Sequence, residues 1–373
     1  MSIRAFSEDR VPAVQAFNRR LAAGGSDFEF PEHPLTPWLP KLPGRDIFQD
    51  MFLAVEEESV RGGFILKRQE FSIYGEKHRI AHLRLPISEG IVDKAYASVG
   101  LTLLRSALKE EPRLFCLGMG GMDKPLARML KSLGWTLFEI PFIYDVQHAY
   151  RFLRNIHVFR HGVVRRTVRD VAAASGAGWL GIRTLKAASW MKGARSTTPT
   201  DASVEIMCEE FGDWADTLWE RCAPLYSFAA VRDRKVLNLL YPADDTRFLR
   251  LAWNRGGEKI GWSVLLDTPF ETHKQFGAMR VGSLVDGLAL PDDIASIVSG
   301  SAHFLRERWV DILVSNQSHQ GWHDALKRAG FLSGPSNFVL ALSPALVALL
   351  APLHRSRPTF HINRGDGDGP INL

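Results

Sequence analysis

Leu130-Lys131-Ser132-Leu133-Gly134-Trp135 is a phrase that the chain repeats, with small changes, as Leu326-Lys327-Arg328-Ala329-Gly330-Phe331. Each copy ends an amphipathic run that is preceded and followed by a short apolar segment. A glycine can end a helix in the left-handed conformation, and the aromatic residue after it then packs back onto the core. The pattern predicts a strand, a helix, the Gly-aromatic pair and a second strand. Because it recurs about 200 residues later, it indicates a duplicated domain.

The two halves of the chain also share one order of predicted elements. The first half has a strand at 3–6, a helix from about 7, a hairpin from 51–55 and 63–67, a strand at 80–85 and a helix through 99–108. The second half has a strand at 204–207, a helix through 214–222, a hairpin from 248–253 and 260–265, a strand at 282–290 and a helix at 292–308. Both halves therefore predict the same mixture of strands and helices.

This order of elements resembles the GNAT acyltransferase superfamily, and the resemblance covers most of both halves. The second half also contains Val231-Arg232-Asp233, followed by Leu237-Asn238 and Tyr241, ahead of its hairpin. This block and the Gly-Asp tail at 365–369 are similar to GNAT-related proteins of bacterial exopolysaccharide and capsule loci. The resemblance implies an α+β fold with two GNAT-like mixed-sheet domains joined by a helical basic bridge. The expected parts are an N-terminal domain at 1–150, the bridge at 151–199, a C-terminal domain at 200–345 and a tail at 346–373.

Composition and charge exclude several classes of protein. The chain has 373 residues, of which 46% are hydrophobic, and this is enough for about two domains with cores of their own. It has no apolar run of about 18 residues and its start is polar, so we expect neither a transmembrane helix nor a signal peptide. The cysteines, Cys116, Cys208 and Cys222, have neither metal-site nor disulfide spacing. These features favour a cytoplasmic protein without a bound metal.

The positive charge of the chain is concentrated in the predicted bridge. Residues 151–195 contain ten Lys or Arg and one acid, which gives a local net charge of +9 and leaves −4 for the rest. Two amphipathic helices are predicted there, one with Val164 and Val168 on its apolar face and one with Trp179 and Ile182. Such helices can lie on an anionic surface at the inner membrane face, or they can pack across the domain junction with their charges solvated. No recognition motif supports a nucleic acid as partner.

The resemblance implies that acyl-CoA is a co-substrate, with acetyl or longer acyl chains. In the superfamily it lies between the fourth and fifth strands, and its pyrophosphate binds backbone N–H groups at a helix N-terminus, where the helix dipole favours an anion. In the first half this place is occupied by Ser98, Val99 and Gly100, with Lys94 nearby. In the second half Gly300 fits the pattern, although the preceding acids indicate an earlier helix start. The alternative for both places is a small residue at a packing contact.

The candidate catalytic residues lie on or after strands four and five of the second half. Asp286 stands in an apolar stretch and is the candidate general base, which must take a proton from the acceptor. Its alternative is a carboxylate on the solvated strand face or one paired with Arg280. Asn316 and His319 follow the fifth strand and are further candidates. Asn316 can instead cap the last helix.

The candidate substrate-binding residues belong to the block described above and to the second hairpin. Arg232 and Asp233 can bind an acidic sugar, with Asn238 and Tyr241 beside them, and Trp262 can stack on a sugar ring. The alternatives are a local ion pair that organises the turn after Arg232, and core packing of the tryptophan.

The resulting hypothesis is an acyltransferase that moves an acyl group from acyl-CoA to an amine or hydroxyl of a polysaccharide or glycolipid precursor. Leu130 and Leu326 stand where many GNAT enzymes carry the tyrosine that protonates the departing thiolate, and neither can donate a proton. A non-catalytic GNAT-like binding module in a polysaccharide assembly system is therefore an alternative. An aminoacyl-tRNA-dependent transferase of the peptidoglycan-bridge type is a third, although the long coiled-coil arm of that family is missing.

Overall fold

Two mixed β-sheets organise the computed structural model, which describes residues 1–36, 38–156, 202–351 and 359–367. The chain divides into two compact units. Unit 1 consists of Met1–Glu139 and Val339–Pro358, and unit 2 consists of Ile140–Phe338 and Thr359–Leu373. The predicted α+β fold with two mixed-sheet domains is confirmed.

The sheet of unit 1 has the order β1-β2-β3-β4-β5-β15-β6. Its strands are β1 (Ser2–Ala5), β2 (Phe48–Glu56), β3 (Ser59–Ile73), β4 (Glu76–Ser88), β5 (Leu114–Met119), β6 (Thr136–Glu139) and β15 (Phe338–Leu342). Its helices are α1 (Val11–Ala23), α2 (Val99–Glu110), α3 (Pro125–Ser132) and α9 (Pro344–Leu349). The strands are antiparallel from β1 to β4, and β4 and β5 are parallel. Buried leucines of α2, Leu103 and Leu104, share a core cluster with Leu66 of β3 and Leu83 of β4.

The sheet of unit 2 has the equivalent order β8-β10-β11-β12-β13-β7-β14. Its strands are β7 (Phe142–Val146), β8 (Ser203–Ile206), β10 (Leu249–Arg255), β11 (Glu258–Pro269), β12 (Arg280–Ala289), β13 (Ile312–Asn316) and β14 (Leu332–Gly334); β9 (Phe228–Ala230) pairs in parallel with β16 (Phe360–His361). Its helices are α4 (Ala149–Asn155), α5 (Asp213–Cys222), α6 (Arg234–Leu240), α7 (Ile294–Glu307) and α8 (Gln320–Arg328). Here too the strands are antiparallel up to the fourth, β12, which is parallel to β13.

The repeated Gly-aromatic pair ends equivalent helices in the two units, as the sequence predicts. Gly134 and Gly330 have φ angles of +81° and +94°, a conformation that a side chain would strain. The N–H of Trp135 donates to the Leu130 carbonyl oxygen at 3.1 Å, and Phe331 repeats this bond in the second unit. Both aromatic side chains are buried. The phrase therefore closes α3 and α8 and directs the chain back to the core.

Each sheet contains one strand from the other half of the chain. β15, from the second half, lies between β5 and β6, and β7, from the first half, lies between β13 and β14. The units consequently have other bounds than the domains 1–150 and 200–345 expected from the sequence, since each of those includes a strand that pairs elsewhere. The predicted bridge falls largely on 157–201, outside the described residues, so its amphipathic helices stay a prediction.

The structure bears on the cysteines and on membrane spans within the described residues. Cys116 and Cys222 are buried and Cys208 is exposed, and all three are free thiols. No helix in the described ranges has the length and apolar character needed to cross a bilayer.

Candidate functional site

A β-bulge interrupts the fourth strand of each sheet at an equivalent place. In unit 1 the register of β3 and β4 shifts between Gly63 and Ile65 and leaves one extra residue on β4. In unit 2 the register of β11 and β12 shifts between Val264 and Leu265 and leaves Val285 as the extra residue. Bulges bend a strand and are frequent next to active sites. The two bulges therefore mark the place where each fourth strand bends away from the fifth strand of its sheet.

In unit 1 the fourth and fifth strands separate and leave a gap. Within the described part of the chain, β4 pairs with β5 only at Ala81–Leu114 and His82–Phe115, although both strands continue. The N–H of Leu117 then donates to Nε2 of His82 at 3.2 Å, so a side chain replaces the next ladder bond. The gap opens beyond this hydrogen bond.

Solvent reaches both rims of the gap in unit 1. On the β4 side Arg84, Leu85 and Pro86 are half-buried, and on the β5 side Gly118 and Met119 are half-buried. Leu85 and Met119 have φ angles of +47° and +62°, which are rare for residues with a side chain. Such outliers persist only where the surrounding structure enforces them, and they cluster at binding sites.

The N-terminus of α2 follows the end of β4. Ser98, the residue before the helix, makes no capping hydrogen bond with its side chain, and the first N–H groups of a helix, including those of Val99 and Gly100, have no acceptor within the helix. Lys94 and Ser98 are exposed, whereas the Val99 side chain is buried and offers only its backbone. A side chain at Gly100 would meet only Oγ of Ser88, at 3.6 Å. The structure thus brings the predicted donor-binding residues of this half together at one helix start.

Glu89 fixes the loop between β4 and α2. Its carboxylate accepts hydrogen bonds from Nε of Arg20 at 2.7 Å and from a terminal nitrogen of Arg61 at 3.1 Å, and its side chain is 5% exposed. Burial raises the pKa of Glu89, but hydrogen bonds and charges from the two arginines outweigh this effect and lower it. The loop that presents the helix start is therefore tied to α1 and β3 by a buried carboxylate.

In unit 2 the corresponding gap is filled by the C-terminal segment 359–367. The pairing of β12 with β13 ends at Leu284, although β12 continues to Ala289 beside β11. On the β12 side, Nε2 of His361 lies 2.9 Å from the Gly287 carbonyl oxygen. On the β13 side, Asn363 forms an isolated antiparallel bridge with Gln317. The segment therefore takes the place that is accessible between β4 and β5 in unit 1.

Asp286 lies at the centre of a buried network with this segment. Its carboxylate accepts from Nε of Arg232 at 3.0 Å, from the hydroxyl of Tyr241 at 2.8 Å and from Nδ2 of Asn363 at 2.7 Å. A terminal nitrogen of Arg232 donates to Asp366 at 3.0 Å. Arg232 and Asp286 are each about 1% exposed at their side chains. A single arginine thus holds two buried carboxylates, one from the sheet and one from the C-terminal segment.

The electrostatics of this network support a structural role. Burial lowers the pKa of Arg232, but the charges of Asp286 and Asp366 outweigh it and raise that pKa. Burial, followed by the charge of Asp286, raises the pKa of Tyr241 well above its usual value. Tyr241 therefore stays neutral and donates its hydroxyl proton. The base role predicted for Asp286 gains no support from this geometry, because the carboxylate is enclosed by groups that hold the fold.

The other two candidate catalytic residues have different environments. Asn316 is buried, donates from Nδ2 to the Pro141 carbonyl at 3.1 Å and accepts from Nε of Arg364 at 2.9 Å, so it fastens loops rather than capping α8. His319 precedes α8 and lies edge-on to Tyr226, with ring centroids 5.2 Å apart. Among the described residues its buried Nδ1 has no hydrogen-bond partner. Burial lowers the pKa of His319, which favours the neutral, proton-accepting form.

The predicted sugar-binding residues also belong to the fold. Asp233 caps α6 by accepting from the Val236 N–H at 2.9 Å. Asn238 binds the backbone of Phe211 twice, at 2.7 and 3.0 Å. Trp262 is fully buried and packs edge-on against Phe211. Arg232 and Tyr241 lie in the network just described. The sugar-binding interpretation of the five residues gains no support from the structure, because their polar atoms or rings are engaged inside unit 2.

Gly300 is a packing residue rather than a phosphate-binding one. It lies inside α7, which begins at Ile294, so its N–H belongs to the interior of a helix and not to a free first turn. An added Cβ would lie 2.2 Å from Cη2 of Trp253. The earlier helix start indicated by the acids at 292–293 explains why the Gly pattern was misleading. The expectation that Gly300 binds a cofactor gains no support from this position inside the helix.

We expect Gly300→Ala to lower the free energy of unfolding of unit 2 by about 1–3 kcal/mol, because the methyl group overpacks the Trp253 ring. Urea unfolding followed by tryptophan fluorescence measures this effect. The matched control is Gly100→Ala, where the same methyl group fits and the removal of a helical glycine contributes up to about 1 kcal/mol of stability. Equal effects of the two substitutions would contradict the packing assignment.

The sequence analysis did not predict that the C-terminal segment 359–367 is an ordered part of unit 2. Asn363, Arg364 and Asp366 have buried or half-buried side chains in unit 2, although a Gly-Asp tail is typical of a loose chain end. The available signal was the spacing of Asn363 and Asp366, which form a capping box around the short 3-10 helix Arg364–Asp366. This box orders the segment that fills the gap.

The comparisons with known proteins identify similar folds. A Saccharomyces cerevisiae N-myristoyltransferase, solved with bound myristoyl-CoA and inhibitors, matches with a TM-score of 0.52 and 10% identity over 92% of this chain and 79% of that one. A GCN5-related N-acetyltransferase from Anabaena variabilis matches with a TM-score of 0.51 and 10% identity over 91% and 72%. No protein-family model matches the sequence, and no curated protein matches it. At such identities the likeness concerns architecture: the chain shares its mixed-sheet fold with these two transferases.

Proposed function

We propose that this protein is an acyltransferase that takes its acyl group from acyl-CoA and binds that donor in unit 1. The observation that carries the proposal is the gap between β4 and β5, with the start of α2 at its end. The N–H groups of Val99 and Gly100 are suited to a pyrophosphate, and the exposed Lys94 adds a positive charge nearby. One of the structures with the same fold was solved with bound myristoyl-CoA, which supports an acyl-CoA donor.

Unit 2 is less suited to the donor. The segment 359–367 lies between β12 and β13, and the helix that follows β12 begins next to two acids, Asp292 and Asp293. Carboxylates at that position oppose a pyrophosphate. We therefore assign the donor to unit 1 and an acceptor-binding or supporting role to unit 2.

The acceptor in this proposal is an amine or a hydroxyl. An amine is favoured because the two similar structures named above are an N-myristoyltransferase and an N-acetyltransferase. A polysaccharide or glycolipid precursor is the acceptor class suggested by the sequence block around Arg232, and the support for it is that resemblance alone. Attachment to an anionic membrane surface through 151–195 likewise stays a proposal, since these residues lie largely outside the described ranges.

The main rival is a GNAT-like module that binds without catalysis. Leucines at 130 and 326 and the enclosed carboxylate of Asp286 favour it, whereas the unpartnered Nδ1 of His319 favours an enzyme. Aminoacyl transfer from tRNA is a further alternative. Thiol release from acyl-CoA in the presence of amine and hydroxyl acceptors distinguishes catalysis from binding, and aminoacyl-tRNA as donor tests the third possibility.

We expect Gly100→Glu to weaken the binding of acetyl-CoA or myristoyl-CoA at least 10-fold, or about 1.4 kcal/mol, because it places a carboxylate where the phosphates approach. The substitution should leave the fold intact, since the position has room and an acid in the first turn of a helix is favourable. Isothermal titration calorimetry of the full chain measures the affinity.

The matched control is Ala345→Glu, which puts the same charge into the first turn of α9 in the same unit. That helix follows Ser343, which bonds to Leu114 at the start of β5, the end away from the gap. Its affinity for acyl-CoA should equal that of the wild type. If Gly100→Glu also binds like the wild type, the donor does not lie at the start of α2.

A further inference from the structure

We infer that unit 2 contains a separate binding site for a small carboxylate with an aromatic or branched apolar body. The site is a pocket of about 160 Å³ between β7, the loop after β14, α4 and the C-terminal segment. An apolar cavity of about 150 Å³ holds a molecule the size of benzene. The pocket therefore has room for one ring with a short substituent.

The walls of the pocket are largely aromatic. Phe142, Tyr144, Phe152 and Phe276 line it. Phe142 and Tyr144 stack with ring centroids 5.7 Å apart, and Tyr144 stacks on Phe152 at 6.1 Å. Stacked rings offer faces and edges that a further ring can pack against at similar distances. The walls are thus suited to a flat, apolar group.

Arg364 supplies a positive charge in the pocket wall. Its Nε donates to Oδ1 of Asn316 at 2.9 Å, which fixes the plane of the guanidinium. No ion pair among the described residues includes Arg364, and the nearby Asp366 is already paired with Arg232. The terminal nitrogens of Arg364 are therefore available to a ligand.

Arg364 is half-buried, and it has no ion-pair partner among the described residues. Burial lowers the pKa of Arg364 to about 10, because the loss of hydration disfavours the charged form. A guanidinium removed from water without an acid beside it costs free energy unless an anion or other acceptors complete its hydrogen bonds. The forked donors of an arginine match the two oxygens of a carboxylate. A carboxylate whose apolar body lies between the aromatic walls would satisfy both features of the pocket.

The site is independent of the proposed donor site. Its residues all belong to unit 2, whereas the start of α2 and the gap beside β5 belong to unit 1. A failure of acyl-CoA binding would leave this inference untouched, and the reverse also holds.

The test is calorimetric titration of the full chain with benzoate, its neutral isostere benzamide, and acetate. We expect saturable binding of benzoate at millimolar concentration or below, with benzamide and acetate each at least about 10-fold weaker. Arg364→Gln should reduce the affinity for benzoate about 10-fold and leave that for benzamide unchanged. Gly100→Glu, the variant of unit 1, should bind benzoate like the wild type.

A second variant keeps the test decisive if Arg364→Gln destabilises the C-terminal segment. Gln275→Glu leaves Arg364 in place but adds an acid to the pocket wall, and it should also weaken benzoate. Equal binding of benzoate and benzamide, no binding of benzoate, or competition between benzoate and CoA would each overturn the inference. Tighter binding of inorganic phosphate than of benzoate would overturn the carboxylate assignment.

Discussion

Arg232→Met should lower the free energy of unfolding of unit 2 by about 3–5 kcal/mol, which is a large part of the stability of a domain. The substitution preserves most of the side-chain volume but leaves Asp286 and Asp366 buried without their shared cation. Removing one partner of a buried ion pair is costly because the remaining charge is not solvated. Urea unfolding monitored by circular dichroism measures the change.

The control for this prediction stands two residues further along the chain. Arg234 pairs with Asp213 and Asp216, but its side chain is 51% exposed. Solvent screens such pairs, so Arg234→Met should cost less than about 1 kcal/mol. If the two variants lose the same stability, the buried network is not what holds the C-terminal segment in unit 2.

A chain that ends at Pro358 should lose more than about 5 kcal/mol in unit 2. The deletion removes the buried side chains of Phe360 and Ile362, each of which contributes about 1.5–3 kcal/mol through burial. It also removes Asn363 and Asp366 and thereby leaves part of the Arg232 network without partners. Hydrogen exchange should show the loss as faster exchange in β12 and β13.

The control for the deletion is a chain that ends at Gly367, which keeps every described contact of the segment. It should unfold at the same urea concentration as the full chain. If the chain ending at Pro358 also matches the full chain, the segment only covers a gap that is stable without it.

The sequence predicts those features of the fold that depend on residues close to one another along the chain. The repeated Gly-aromatic pair and the alternation in the hairpins are local, and the structure confirms both. The exchange of β7 and β15 could not be predicted in this way. The segments around 138–144 and 338–343 are similarly short and apolar, and nothing within them encodes which sheet they join.

The candidate site was predicted less well, because burial and distant partners decide the role of a polar residue. The sequence pointed to both Arg232 and Asp286 as candidates. However, the two carboxylates that Arg232 binds, those of Asp286 and Asp366, lie 54 and 134 positions further along the chain. Asp286 and Arg232, which the sequence suggested as a general base and a sugar-binding residue, therefore belong to a buried ion network. The helix start at Ser98 to Gly100 depends only on local order, and the structure does place it at the end of the fourth strand.

The exchanged strands also determine the order in which the two sheets can be completed while the chain is being synthesised. β6 leaves the ribosome about 200 residues before β15, which at 5–20 residues per second is a delay of roughly 10–40 s. During that time β5 and β6 lack the strand that lies between them, and unpaired strand edges can associate with other chains. β7 in turn is made before every other strand of its own sheet. Neither sheet can be completed by its own half of the nascent chain, because β15 and β7 each come from the other half.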